Sequence, residues 1–200
     1  MNTILKSTVA FLVAAGTAVA APQIGQPAPE FTLTDSNGQS HNLSDFKGKF
    51  VVLEWLNHGC PFVQKHYDGG NMQGLQKEYT GKDVVWLSIV SSAPGKQGHM
   101  SAEETNKAKE EKGAAATAVL IDEDGTVGKL YDAKVTPELY VINSEGTLVY
   151  MGAIDDKKSV DAAEVAGAKN YVKQALDEAL AGKPVSEPTT SAYGCSVKYN

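Results

Sequence analysis

Three short runs of the chain are predominantly apolar, at residues 50–56, 84–90 and 118–121. Such runs, rich in β-branched and aromatic residues, are typical of strands buried on both faces. Between and after them the sequence predicts helices at residues 61–67, 71–79, 101–112 and 164–181, and a hairpin of residues 138–143 and 147–151. Strands that alternate with helices pair in parallel, and a hairpin adds an antiparallel edge. The pattern therefore predicts an α/β fold with a central mixed β-sheet flanked by helices and a C-terminal β-hairpin and helix.

The first twenty residues do not fit this pattern. Lys6 precedes a short apolar run at residues 9–15, and Ala18-Val19-Ala20 has the small residues of a cleavage site. These features predict a signal peptide over residues 1–20 and export to the periplasm or outside the cell; an uncleaved, disordered or lipid-facing N-terminus is the alternative. Residues 21–181 then form one domain, and residues 182–200 a polar tail. The apolar run is too short to span a bilayer.

The amino-acid composition argues against several classes of function. The formal net charge is −6, which disfavours a nucleic-acid binder, because such proteins need a basic face. All 18 basic residues are lysine, so no guanidinium group is available to clamp an anion. The two cysteines, Cys60 and Cys195, are too few for a disulfide scaffold or a four-thiolate zinc site. They are enough for one bridge, or for one reactive thiol with a partner.

The most informative stretch surrounds Cys60, which follows a buried strand and precedes a helix that begins at Pro61. Free N–H groups and the helix dipole favour the thiolate there and lower the pKa of the thiol. A protonated His58 adds to this effect, and Lys65 and His66 lie further along the helix. A buried structural cysteine is the alternative.

Two further features belong to this region of the predicted fold. Glu54 lies within an apolar strand, where burial raises the pKa of a carboxyl group. It is either a proton shuttle for a leaving thiol or one half of an ion pair with Lys49. Thr136-Pro137 precedes the first hairpin strand. Pro137 is either a cis proline that brings the Thr136 backbone close to the thiol, or a trans proline that opens an edge strand.

Five stretches carry a resemblance to a known family: GQPAPEFTL, KGKFVVLEW, NHGCPFVQKHY, VTPELYVINSEGTLVYMG and SAYGCSVKY. With them the chain resembles the thioredoxin-like superfamily from about Gly25 to the C-terminus. Within that superfamily it is similar to the redoxin group, peroxiredoxin-like proteins of the alkyl hydroperoxide reductase/thiol-specific antioxidant type. The tail resembles the ending of an exported, periplasmic subfamily. The resemblance implies a thioredoxin-like fold, a cis Pro137 and a redox-active Cys60.

The chain departs from the family pattern at three points. Val63 stands where thioredoxins have their second cysteine, Asn57 stands where peroxiredoxins usually have threonine, and arginine is absent. Asn57 can still donate a hydrogen bond at the site. Cys195 is the only internal partner for Cys60. The 12 residues between Gly182 and Cys195 reach about 40 Å when extended. Cys195 is therefore a resolving cysteine or forms a structural bridge with Cys60; a bridge between two chains is the alternative.

The sequence predicts a thiol oxidoreductase that acts on a disulfide or a peroxide without a cofactor, with a redox protein as its partner. Two other classes stay open. One is a copper or zinc module that uses His58, Cys60 and His66, with Met72 and His99 as additional ligands. The other is a non-catalytic domain that holds an extended peptide in the cleft beside Thr136 and Pro137. Whether the protein is a homodimer is also open.

Overall fold

The structure is a computed structural model that describes residues 21–200, so the predicted signal peptide at residues 1–20 lies outside the described residues. The strands are β1 Thr32–Asp35, β2 Ser40–Asn42, β3 Val51–Trp55, β4 Val85–Val90, β5 Ala118–Ile121, β6 Val135–Thr136, β7 Glu138–Ile142, β8 Leu148–Gly152 and β9 Cys195–Ser196. The α-helices are α1 Pro61–Asp68, α2 Asn71–Thr80, α3 Ala102–Glu111, α4 Thr126–Leu130 and α5 Tyr171–Leu180. Two 3₁₀-helices cover Leu43–Phe46 and Ala162–Gly167.

Seven strands form one mixed sheet in the order β2-β1-β5-β4-β3-β7-β8. Strand β3 is parallel to β4, and β4 is parallel to β5, whereas β7 and β8 run antiparallel as the predicted hairpin. The central strand β3 has all five of its residues buried, as expected for a strand covered on both faces. Helices α1, α2 and α5 contribute to the core on one face, and α4 packs on the other. The predicted fold class is confirmed.

Local sequence signals explain where most helices begin and end. Pro61 occupies the first turn of α1, where a missing N–H costs nothing. Gly70 has a left-handed φ of +71° that separates α1 from α2. Ser101 caps α3 through a capping box with Glu104, as predicted.

The last helix begins later than predicted. A continuous helix from residue 164 is wrong, because residues 162–167 form a separate 3₁₀-helix. Asn170 then starts α5 anew, and its side chain accepts a hydrogen bond from the Lys173 N–H at 2.8 Å. Helix α5 reaches the sheet through its contacts with β7 and β8.

The C-terminal tail packs along the domain. Thr190 N donates to Met151 O at 3.1 Å, and Met151 N donates to Pro188 O at 3.0 Å, so the tail runs beside β8. Further on, β9 pairs antiparallel with β6. Ala93 N donates to Lys198 O at 2.9 Å near the end of the chain. None of the helices within residues 21–200 is long and apolar enough to cross a bilayer.

Gly152 allows the close approach of the tail to β8. Its φ is +140°, and a Cβ on it would lie 2.3 Å from Thr190 O. Gly146 also has a positive φ, +84°, but its Cβ would meet nothing within 4 Å. Gly146→Ala is expected to lower the free energy of unfolding by about 1–2 kcal/mol through backbone strain alone. Gly152→Ala is expected to lower it by about 1–3 kcal/mol more, because the tail must also shift.

Urea unfolding of both variants measures this difference. Equal losses in the two variants would show that the tail does not pack against β8.

Candidate thiol site

Cys60 lies at the junction of the turn after β3 and the first residue of α1. It is the residue before the helix, and its side chain is 0% exposed. Its Sγ donates a hydrogen bond to Thr136 O at 3.1 Å. The predicted position at a helix start is confirmed.

The loop before Cys60 is held by hydrogen bonds from a neighbouring segment. Asn57 Oδ1 accepts from Gly59 N at 2.8 Å, and Asn57 Nδ2 donates to Gln97 O at 3.2 Å. Gln97 Nε2 in turn donates to Gly59 O at 2.8 Å. The side-chain amide of Asn57 thus braces the loop, and the hydrogen bond that its Nδ2 donates goes to Gln97 O. No sequence signal identified Gln97.

The peptide bond between Thr136 and Pro137 is cis, as the resemblance implies. Strand β6 places the Thr136 carbonyl against Cys60, so the predicted cleft and the thiol are adjacent. Within residues 21–200, the buried Thr136 hydroxyl is one of the side-chain groups with no hydrogen-bond partner. A free hydroxyl donor at this position can stabilise a thiolate.

Strand β9 places Cys195 beside Thr136, the residue whose carbonyl accepts the hydrogen bond from Cys60. Cys195 is directly opposite Thr136 in the antiparallel pair of β6 and β9, and both cysteines are reduced in the structure. Gly194 makes this approach feasible, because a Cβ on it would lie 2.0 Å from Thr136 O. The length of the tail indicated that Cys195 could reach Cys60; the strand pairing supplies the register.

The two thiols differ in acidity. Burial opposes ionisation of Cys60, but the hydrogen bond from the Cys195 thiol works against it. Together with the Val63 N–H and the Thr136 hydroxyl, that bond outweighs burial and brings the pKa of Cys60 below its usual range. Burial and the neighbouring Cys60 raise the pKa of Cys195 to about 11. Cys60 is therefore the better nucleophile of the pair at neutral pH.

Three predicted contributors to the thiolate environment act elsewhere. Burial, with a smaller effect of Lys112, lowers the pKa of His58 to about 4, so its ring is neutral and packs edge-on against Tyr67. Lys65 Nζ donates to Lys157 O at 2.6 Å. His66 Nε2 lies 3.2 Å from Tyr193 OH. His58 is therefore not the protonated neighbour that would add positive charge at the thiol. Lys65 and His66, further along α1, are engaged by Lys157 and Tyr193 instead.

Glu54 is fully buried on β3 and its carboxylate accepts four hydrogen bonds. The donors are Tyr67 OH at 2.9 Å, Gln76 Nε2 at 3.1 Å, Trp86 Nε1 at 2.8 Å and Ser88 Oγ at 2.9 Å. Desolvation by burial raises the pKa of Glu54 in spite of these donors, as predicted. The predicted ion pair with Lys49 is wrong, because Lys49 Nζ pairs with Asp83 Oδ1 at 2.6 Å. A proton-shuttle role for Glu54 stays a prediction.

The side chains considered as metal ligands do not meet. Met72 is buried in the core, and His99 Nε2 lies 3.2 Å from Glu123 Oε1 at the surface. His66 is engaged by Tyr193 and the Asn71 amide. Among residues 21–200, no three histidine, cysteine or acidic side chains are grouped so that they could hold a metal ion.

The fold and this site define a thioredoxin-like protein with a buried cysteine at the start of α1 and a cis proline beside it. The model of the AhpC/TSA family matches residues 24–151, and the chain belongs to that family.

Curated relatives are about 28–29% identical to this chain over the residues that match. The thiol-disulfide oxidoreductase ResA of Bacillus subtilis (strain 168) is 29% identical over 125 residues, which is 62% of this chain and 64% of ResA. The thioredoxin-like protein YneN of the same organism is 28% identical over 138 residues, 68% of this chain and 76% of YneN. An uncharacterized conserved protein from Geobacillus kaustophilus has a crystal structure with a TM-score of 0.76 and 30% identity, covering 89% of this chain and 93% of its own.

The influence of Cys195 on the acidity of Cys60 can be measured directly. In Cys195→Ala the thiol that hydrogen-bonds Cys60 is absent, so the pKa of Cys60 is expected to rise. The rate of Cys60 alkylation by iodoacetamide, followed against pH, should then reach its half-maximum at higher pH than in the wild type, because only the thiolate reacts.

The matched control is Tyr199→Phe, which leaves Cys195 in place, and its profile should coincide with that of the wild type. A Cys195→Ala profile that coincides with the wild-type profile would contradict this account of the site.

Proposed function

We propose that this protein is a thiol-disulfide oxidoreductase in which Cys60 is the nucleophile and Cys195 of the same chain is the resolving cysteine. The observation that carries the proposal is the pairing of Cys195 with Thr136, which brings a thiol of raised pKa beside a thiol of lowered pKa. The similarity to ResA, a thiol-disulfide oxidoreductase, supports the same class, and YneN is a thioredoxin-like protein. Since the match spans 64% of ResA, the activity is inferred from this site.

The reaction has two exchange steps. The Cys60 thiolate attacks one sulfur of a substrate disulfide, forms a mixed disulfide and releases the other sulfur as a thiolate. Cys195 then loses its proton to this first substrate thiolate and attacks the Cys60 sulfur. A Cys60–Cys195 disulfide forms and the second substrate thiolate leaves. The substrate gains two electrons and the protein loses two; a dithiol protein restores the reduced pair by the reverse exchange.

The surrounding groups have separate roles in this scheme. The Thr136 hydroxyl and the Val63 N–H favour the attacking thiolate. Asn57 holds the loop that sets the position of Cys60. Cys195, with its pKa of about 11, needs a proton acceptor before it attacks, and the departing substrate thiolate is a suitable one.

We also propose that the protein acts outside the cytoplasm. The proposal depends on the signal-peptide pattern at residues 1–20 and on the polar tail that carries a second cysteine. Exported proteins meet conditions in which disulfides persist and are exchanged. The partner in this scheme is a redox protein, with no nucleic acid and no membrane insertion of the folded domain.

A single-turnover assay with cysteine variants tests the function. Reduced wild-type protein is mixed with a small disulfide-bonded protein, and products are separated without reductant. The wild type is expected to release reduced substrate, and Cys60→Ser is expected to release none. Cys195→Ser should accumulate a covalent adduct of protein and substrate, because the mixed disulfide is no longer resolved.

Hydrogen peroxide provides the contrasting substrate. Rapid oxidation of Cys60 by peroxide, with no reduction of the disulfide substrate, would overturn the proposal and select a peroxidase. An equal yield of adduct in the wild type and Cys195→Ser would overturn the role of Cys195.

A further inference from the structure

Two residues before Cys195, the side chain of Tyr193 enters a buried polar socket formed by Lys65, His66 and Asp155. The three socket residues are each at most 2% exposed, and Tyr193 is 8% exposed. Its hydroxyl donates to Asp155 Oδ1 and lies 3.2 Å from His66 Nε2. Its ring packs against Phe62, with the centroids 5.7 Å apart. The thiol chemistry described above does not use this cluster.

The hydrogen bonds in the socket run in one direction. Asn71 Nδ2 lies 2.9 Å from His66 Nδ1, and an amide NH₂ can only donate, so Nδ1 is the acceptor. Neutral His66 then carries its proton on Nε2 and donates it to the Tyr193 oxygen. The Tyr193 hydroxyl then continues this series of hydrogen bonds by donating to Asp155 Oδ1. A hydroxyl at this position satisfies both neighbours at once, and no apolar side chain can do so.

Lys65 adds charge complementarity. Its Nζ is buried, donates to Lys157 O at 2.6 Å and lies 3.8 Å from Asp155 Oδ2. That carboxylate oxygen has no hydrogen-bond partner in the described part of the chain. A carboxyl group at this depth depends on its hydrogen-bond partners, which for Asp155 Oδ1 are the Tyr193 hydroxyl and the Lys157 N–H at 3.0 Å. The socket therefore stabilises the conformation in which Tyr193 is bound, relative to one in which the tail has moved out of the socket.

The position of Tyr193 determines what its docking achieves. Gly194, which follows it, passes against Thr136 O so closely that no Cβ fits, and the next residue, Cys195, is paired with Thr136. A slip of one residue in a strand turns each side chain to the opposite face. Anchoring of Tyr193 in the socket thus specifies which tail residue lies beside Cys60.

We propose that Tyr193 is a positioning residue for the resolving step, and that the socket of Lys65, His66 and Asp155 holds it so that Cys195 attacks the mixed disulfide on Cys60. This inference rests on the proposed function and deepens it. The two can fail separately, because attack by Cys60 and attack by Cys195 are observed as separate events.

The test follows both events in one trace with 5,5′-dithiobis(2-nitrobenzoic acid) as the disulfide. Attack by Cys60 releases one coloured thiolate and leaves the other half bound to Cys60; attack by Cys195 releases the second. Cys60→Ser and Cys195→Ser assign the two phases. In Tyr193→Phe the second phase is expected to slow on the order of ten-fold, since His66 loses its acceptor and Asp155 loses one of its donors. The first phase, compared at a pH where Cys60 is fully ionised in both proteins, is expected to match that of the wild type.

Tyr199→Phe is the matched control, because it removes another tail hydroxyl, one that donates to Ala133 O at 2.8 Å outside the socket. Both of its phases should stay within about two-fold of the wild type, as expected for a part-buried hydrogen bond of modest net value. His66→Leu removes a socket residue that lies on α1, and it should slow the second phase selectively. This variant keeps the test valid if Tyr193→Phe does not fold. Circular dichroism checks the folding of each variant.

An unchanged second phase in folded Tyr193→Phe or His66→Leu would overturn the positioning role. Equal slowing in Tyr199→Phe would also overturn it, because general loosening of the tail would then explain the effect. A wild type with no first phase would instead refute the proposed function.

Discussion

The arrangement of the thiol site depends on the antiparallel pairing of β9 with β6. This pairing joins the last residues of the chain to the strand that ends at Thr136, and Thr136 is the residue whose carbonyl meets Cys60. It brings together three parts of the sequence that are far apart: the start of α1, the segment before the β7–β8 hairpin, and the tail. Without it, Cys60 would lose the Cys195 hydrogen bonds that favour its thiolate.

Helix α1 is held on both sides by buried polar groups. On one side Tyr67 donates to Glu54, and on the other Lys65 and His66 contact Asp155 and Tyr193. A buried donor or acceptor left without a partner costs about 1–3 kcal/mol, so each cluster specifies one arrangement of its neighbours. The helix that presents Cys60 is thus fixed by hydrogen bonds as well as by apolar packing, and the tail is part of that arrangement.

The fold and the position of Cys60 at a helix start could be predicted from the sequence, because both depend on local patterns. Apolar runs determine buried strands, and a cysteine before a proline at a helix start has a defined electrostatic environment. The contact partners of charged side chains could not be predicted in this way. Lys49 was one of two alternatives for Glu54, but the fold pairs Lys49 with Asp83. Lys65 and His66 follow Cys60 on the same helix, but the fold turns them toward Asp155. Contacts such as that of Tyr193 with Asp155 join residues 38 positions apart, and no periodicity marks them.

The central claim is that Cys60 and Cys195 of one chain form a redox pair. Peptide mass spectrometry of oxidised, non-reduced full-length protein tests it, with ¹⁵N-labelled and unlabelled chains mixed before oxidation. The account predicts a cross-linked peptide pair that contains Cys60 and Cys195 and occurs only as fully labelled or fully unlabelled species. Pairs that combine a labelled with an unlabelled peptide would show a link between chains, and two thiols that remain free after oxidation would show no link; either result would contradict the account.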